Sequence, residues 1–244
     1  QHYYFDSVPD YAIVNESVEL VKNIGKESFH GLVNAVMKKI VENPPRKVEG
    51  SVLERASIEF SFPLWILKLL KAQYGEEFAL GYAAYCQEKK PYYVRLNPSR
   101  NHDHLLKHLD GVQAKPSIFK TDYLENGDVM IQDINSQKVV SYLQLEKGHS
   151  VLDCCCGPGT KTSQIADILE DTGMILGVEL ESVRVEETKN LLQNWGVKSP
   201  YQILESDILD FKTNARFDRI LIDAPCSGLG VLSHKPDLRY RIKP

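Results

Sequence analysis

Two short stretches carry residue types that could do chemistry: VLDCCCGPGTKT at 151–162 and DAPCSG at 223–228. In the first, an apolar run ends in an acid, and three adjacent cysteines precede a glycine turn. Such thiols could be metal ligands, nucleophiles or small apolar fillers. Adjacent residues cannot converge on one tetrahedral ion as C-x-x-C pairs do, and no matching His/Cys cluster lies nearby, so no metal site is expected. Cys154, Cys155 and Cys156 read as small side chains where strand becomes loop, with 154 and 156 facing one side and 155 the other. Cys226 differs. It follows Asp223 by three residues in a Pro- and Gly-containing loop. A thiol there can be activated by a lowered pKa, and the competing reading is a buried structural cysteine.

The glycine turn matches neither familiar phosphate motif. A G-x-G-x-x-G fingerprint fails because position 162 is Thr and Pro158 separates the glycines, and the Walker spacing is absent. What remains is a turn that lets backbone approach a ligand closely. Glu179 ends the next apolar segment, about 20 residues on, where an acid can accept hydrogen bonds from the ribose of an adenosine-type cofactor. Without a phosphate fingerprint, the expected cofactor is S-adenosylmethionine. Asp207, after a further apolar segment, could reach its adenine.

Placing these residues together requires a parallel sheet. From Gly127 to about Asp223, apolar strands (HSVLDCC, GMILGVEL, YQILES, FDRILIDA) alternate with helices (KTSQIADIL, ESVRVEETKNLLQNW), the pattern of βαβ units. In the second helix, Val183, Leu191 and Leu192 are expected to face inward. Ligands in such sheets sit beyond the carboxyl ends of the strands. Four polar clusters fall there: residues 153–162, Glu179, Asp207 and residues 223–227. Upstream, residues 12–24 read as a helix ended by Gly25. Residues 27–40 read as another, with Phe29, Leu32, Val33, Val36, Met37 and Ile40 on one face. NPPRK, residues 43–47, reads as a linker. A further helical pair follows, then a strand in PYYVRLNPSR and a short helix in HDHLLKHL.

The net charge of −4 makes the chain not globally basic, so a nucleic-acid partner needs a local patch. Lys89, Lys90, Arg95 and Arg100 with Tyr92 and Tyr93, and Lys235, Arg239, Arg241 and Lys243, could form one; a solvated basic face over core tyrosines reads equally well. The longest apolar stretch, residues 60–70, is interrupted by Pro63 and Lys68 and falls well short of the roughly 20 residues a bilayer span needs. No signal-peptide pattern is visible at the N-terminus. Five cysteines without disulfide-framework spacing fit a reducing, cytoplasmic setting.

At these residues the sequence resembles a known family. LDCCCGPGTKT resembles the motif I loop of the RNA cytosine-C5 methyltransferases, and LIDAPCSGLGVLSHKPDLRY resembles their motif IV. VPDYAIVNESVELVK and HGLVNAVMKKI are similar to the end of the NusB-like RNA-binding domain of the Sun/Fmu (class B) enzymes, and VMIQDINSQKVVSYL to the segment before motif I. The likeness runs from about Asp6 to Tyr240.

The resemblance implies an α/β fold: a partial Rossmann-like S-adenosylmethionine-dependent methyltransferase sheet, preceded by a helical NusB-like segment and a small α+β connecting region. The corresponding division is 1–50, 51–126 and 127–244. It implies cofactor contacts from Cys155, Cys156, Gly157, Pro158, Gly159, Thr160, Lys161, Glu179, Asp207 and Asp223. Cys156 and Gly157 stand where the family has two alanines, Thr160 where it has a glycine, and Glu179 where it has Asp. In the family, a thiolate from a later TCS motif adds to C6 of cytosine. The implied roles here are hydrogen bonding to the cytosine ring for Asp223 and elimination for Cys226.

The implied function is methylation of carbon 5 of cytosine in small-subunit ribosomal RNA by a monomer with no membrane partner. No TCS motif occurs in the sequence. The expectation is therefore a fragment truncated at both ends. A non-catalytic RNA-binding or assembly protein, or a methyltransferase using Cys226 itself as nucleophile, are the alternatives.

Overall fold

A computed structural model describes residues 8–43, 48–170 and 172–243. The expected linker at 43–47 lies outside the described residues from Pro44 onward, as do the first seven residues of the N-terminal segment. By packing, the chain divides once, into a unit ending at Ala84 and a unit beginning at Tyr85. The three-part division at 50 and 126 stays a proposal.

The first unit is helical: α1 (Asp10–Asn23), α2 (His30–Glu42), α3 (Val52–Glu59), α4 (Leu64–Tyr74) and α5 (Glu76–Tyr85). Gly25, at φ 73°, follows α1 as expected. Ser51 opens α3 with a capping box, its side chain accepting from the Glu54 N–H while the Glu54 carboxylate accepts from the Ser51 N–H. The apolar face expected of α2 exists, but Phe29, Leu32, Val36 and Ile40 along it are exposed.

The second unit holds two sheets. Strands β1 (Tyr92–Leu96), β2 (Leu109–Asp110), β3 (Gln113–Ala114) and β4 (Val129–Ile131) form a small antiparallel sheet in the order β2-β3-β1-β4. HDHLLKHL gives a single 3-10 turn, Leu106–His108. After α6 (Ile134–Ser141) comes the parallel sheet: β5 (Ser150–Asp153), β6 (Met174–Glu179), β7 (Tyr201–Glu205) and β8 (Arg219–Leu221), in the order β7-β6-β5-β8. Helices α7 (Thr160–Leu169) and α8 (Ser182–Trp195) supply the crossovers. Val151, Ile165, Ala166, Leu169, Ile175 and Leu221 build one buried cluster. Leu152, Cys154, Leu176 and Val178 build another, from residues that alternate with the first along the strands.

In α8 the inward residues are Val185, Thr188, Leu192 and Trp195, spaced three, four and three apart. Val183 is 68% exposed, contrary to the sequence expectation. The helix starts at Ser182, and its phase is set by Leu192 and Trp195; position 183 then falls on the outer side.

Arg95 ties the two sheets of this unit together. It lies on β1, and its side chain is nearly buried. Its guanidinium donates to Gln132 Oε1 (2.8 Å), the Thr160 carbonyl (3.1 Å), Ser163 Oγ and Asp167 Oδ2. It also stands over the Trp195 ring, 4.7 Å from the centroid, while Trp195 Nε1 donates to Asp167 Oδ1 (2.9 Å). Burial pushes the Asp167 carboxyl up, and Arg95 pulls it back. Removing one partner of a buried pair leaves an uncompensated charge. Arg95→Met should therefore lower stability by about 3 kcal/mol in urea unfolding, and Asp167→Asn in the same chain should recover part of the loss. Additive single effects would show that the pair is not coupled.

Candidate active site

The parallel register brings the strand ends level: Asp153 lies opposite Gly177 and Leu221, and Glu179 opposite Glu205. Neighbouring β6 and β8 leave β5 on opposite sides, so the gap between β5 and β8 is the topological switch point where open α/β sheets bind ligands. Lys161, in the first turn of α7, and Asp223, just beyond β8, form an ion pair of 2.6 Å across that gap.

The loop between β5 and α7 is shaped by its glycines. Gly159 has φ 100° and is the N-cap of α7. A Cβ on Gly157 would lie 2.4 Å from Glu179 Oε2, so the bare backbone here comes close to that acid, and a larger residue would require the carboxylate to shift. The Gly157 N–H donates to Glu179 Oε2 at 3.0 Å. Glu179 Oε1 accepts from the N–H groups of Leu180 (3.0 Å) and Glu181 (3.2 Å). Arg184 on α8 donates to the Gly157 carbonyl and stands 3.9 Å from Glu179 Oε2. Glu179 is therefore buried and already holds the loop, yet Oε2 accepts only one N–H and keeps a lone pair for a further donor.

The cysteines separate. The strand ends at Asp153, and Cys154 and Cys155 lie in a turn, so strand alternation stops before them. Cys154 packs with Leu152 and Val178. Cys156 packs with Val185, Leu192 and Ile203 over Gly177, where an added Cβ would sit 2.9 Å from its Sγ. The two thus join different clusters rather than sharing one side. Among the described residues no group of three or more His, Cys, Asp or Glu could hold a metal ion. Burial pushes the Cys156 thiol up to about 12. Burial, then Glu179, Asp153 and Asp223, raises Cys155, and burial with Asp153 raises Cys154. All three stay protonated and are fillers, not nucleophiles.

Asp207 follows β7 and accepts from the Leu209 N–H at 2.9 Å, capping its own turn. Cys226 is exposed in the irregular segment after β8. The loop, Glu179, Lys161 and Asp223 are thus joined by direct contacts. Neither Asp207 nor Cys226 is linked to them by a side-chain bond among the described residues.

Sequence reasoning missed Arg184, and it placed Asp153 in the first strand-end cluster without giving it a role. Arg184 is signalled only by a cation in the first turn of the helix after Glu179. Asp153 is signalled by the acid ending the apolar run. Asp153 is 1% exposed; its Oδ2 accepts from Thr162 Oγ1 (2.8 Å), and its Oδ1 has no partner.

Part of the basic patch is spent inside the protein, while Lys89, Lys235, Arg241 and Lys243 stay exposed. Arg95 is nearly buried, and Lys90 lies over the Tyr85 ring at 3.1 Å and pairs with Glu88. Arg100 pairs with Asp128, and buried Arg239 donates to the Cys86 and Leu232 carbonyls.

Residues 140–244 match the family model for 16S rRNA methyltransferase RsmB/F, and residues 1–42 match the NusB family. The chain is similar to the RsmB/F methyltransferases over its second part. It is 29% identical to a Bacillus subtilis protein named "Probable ribosomal RNA small subunit methyltransferase B" over 99% of its own length. To the ribosomal RNA small subunit methyltransferase B of Vibrio cholerae it is 28% identical over 97%. It spans 58% of the length of each of these curated relatives. The crystal structure of PH0851 aligns with a TM-score of 0.78 at 18% identity, covering 98% of this chain and 58% of that one. A methyltransferase homologue from Pyrococcus horikoshii aligns at 0.63 and 24% identity, covering 75% and 66%. These likenesses support the α/β fold with its helical N-terminal segment.

Burial raises the Asp153 carboxyl from 3.8 to about 6, against the lowering by Thr162 and Lys161. A folded-state pKa above the unfolded one means the native chain holds the extra proton between those values. Stability should therefore fall as pH rises from about 4 to about 6, by roughly 3 kcal/mol at most, and level off above. Asp153→Asn should remove that slope when urea unfolding is compared with wild type across the range. Parallel curves for the two proteins would refute the assignment.

Proposed function

We propose that the chain carries the cofactor and catalytic-loop part of a methyltransferase that uses S-adenosylmethionine to methylate carbon 5 of cytosine in small-subunit ribosomal RNA. The observation that carries this reading is the Lys161–Asp223 pair across the switch point, beside a glycine turn whose Gly157 N–H donates to Glu179. The residues fit the cofactor. The main chain of Cys155, Cys156, Gly157, Pro158, Gly159 and Thr160 would line its methionine end, Glu179 would accept from its ribose, and Asp207 would approach the adenine. When bound, the cofactor supplies the methyl group.

The chain's own groups supply part of what the reaction needs beside that. Asp223 hydrogen-bonds the cytosine and stabilises charge developing on the ring, and Lys161 holds that carboxylate in place through the 2.6 Å pair. Cys226 assists release of the modified base. Small-subunit ribosomal RNA as partner, and the segments 1–50, 51–126 and 127–244 as RNA-binding, connecting and methyltransferase regions, belong to the same proposal. Among the described residues no helix is long and apolar enough to cross a membrane.

Calorimetry with S-adenosylmethionine tests the cofactor assignment. Glu179→Ala should weaken binding by about 1–3 kcal/mol, and wild-type affinity in that variant would remove Glu179 from the ribose. Denaturing electrophoresis with RNA and cofactor tests Cys226. The 244-residue chain, having no TCS motif, should form no covalent adduct. An adduct that disappears in Cys226→Ala would make Cys226 the nucleophile.

A further inference from the structure

Beside Lys161 lies a cavity of about 450 Å³, within the range of roughly 300–1,000 Å³ typical of small-ligand sites. Gln132, Asn135, Ser136, Lys161, Ser233 and His234 line it. Gln132 is committed to Arg95 and Gln164. The side chains of Asn135, Ser136 and Ser233 make no hydrogen bond to any described residue. One amide and two hydroxyls therefore face one cavity without a protein partner among the described residues. None of them belongs to the cofactor loop.

The cavity opens onto a row of rings. His234, on its wall, lies 5.7 Å from Tyr92, and Tyr92 lies 5.3 Å from Phe119. Tyr92 is 46% exposed and Phe119 49%, and His234 is exposed as well. Single exposed rings are ordinary; three in contact, leading to a hydrogen-bonding cavity at the switch point, are not.

We propose that Phe119, Tyr92 and His234, with the cavity at the end of the row, form a track for the unpaired RNA nucleotides next to the one that is modified. This rests on the methyltransferase reading above and adds a second contact region to it. Single-stranded RNA is the occupant that fits. Unstacked bases lie on aromatic faces and bond through their edges to amides and hydroxyls. A duplex would be held chiefly through phosphate-binding cations; here Arg95 and Arg239 are buried and Lys90 and Arg100 are paired, and the exposed Lys89 and Lys235 would meet the phosphates of a single strand as readily, so the rings and the cavity carry the preference for unpaired bases.

The test uses the whole 244-residue chain, a short fluorescein-labelled single-stranded RNA, the same sequence as a duplex, and S-adenosylmethionine. Tyr92→Ala and Phe119→Ala should each weaken single-strand binding about tenfold. Tyr92→Phe should bind as wild type does. The ratio of variant to wild-type affinity should persist as salt is raised, because stacking is not screened as phosphate contacts are. Cofactor affinity should be the same in all these proteins, which shows that each is folded. The track is wrong if wild type does not bind the single strand, if both alanine variants bind it as wild type does, or if the duplex binds as tightly. Failure of wild type to bind S-adenosylmethionine would instead sink the methyltransferase reading, whatever the RNA data show.

Discussion

The second unit depends on one buried cation. Arg95 comes from a three-residue ladder with β4, which could not hold an orientation alone, and its guanidinium grips α7 at Thr160, Ser163 and Asp167. Those contacts fix the first turn of α7, and the first turn of α7 carries Lys161. A point charge could not do this. The fork of Arg donates in several directions at once and stacks on Trp195, which lysine cannot match. The lowering of Arg95 by burial, opposed by Asp167, reflects the same balance.

The acids at the strand ends meet three different environments from similar sequence positions. Asp153 is enclosed and its Oδ2 accepts from the Thr162 hydroxyl, while its other oxygen has no hydrogen-bond partner among the described residues. Glu179 is enclosed too, but backbone N–H groups and Arg184 surround it. Asp223 is half-exposed and faces Lys161. The division follows from where each strand sits. Strands β5 and β6 each lie between two others and bury their ends, and Asp223 lies in the irregular segment after β8.

Much of this was legible in the residues. The alternation of strand and helix after Gly127, the glycine turn, and the acids after each strand all appear in the structure where the sequence puts them. Local patterns encode them. What could not be read was phase and partnership. Val183 is as apolar as Val185, and only the packing of Leu192 and Trp195 decides which faces inward. Cys154 and Cys156 looked like neighbours on one side because strand alternation was carried past Asp153, where the strand ends. Arg95, Arg100 and Arg239 looked available for RNA, since nothing local reveals partners 28 to 153 residues away. Long-range pairing is invisible to periodicity.

That last point bears on how a chain of net charge −4 would hold a polyanion. Long-range attraction is not available to it, so binding of the proposed RNA must come from short-range contacts. Acids clustered at the switch point would add repulsion if all stood bare. They do not: Asp153 is enclosed with its carboxyl raised to about 6, Glu179 sits against Arg184 and three backbone N–H groups, and Asp223 is paired with Lys161. Local neutralisation leaves a surface where uncharged contacts decide. Exposed rings and unpaired amide and hydroxyl groups are the contacts that act there without a field, and they recognise the faces and edges of bases rather than phosphates. A site built this way selects for unpaired nucleotides, because in a duplex both the faces and the edges are already occupied.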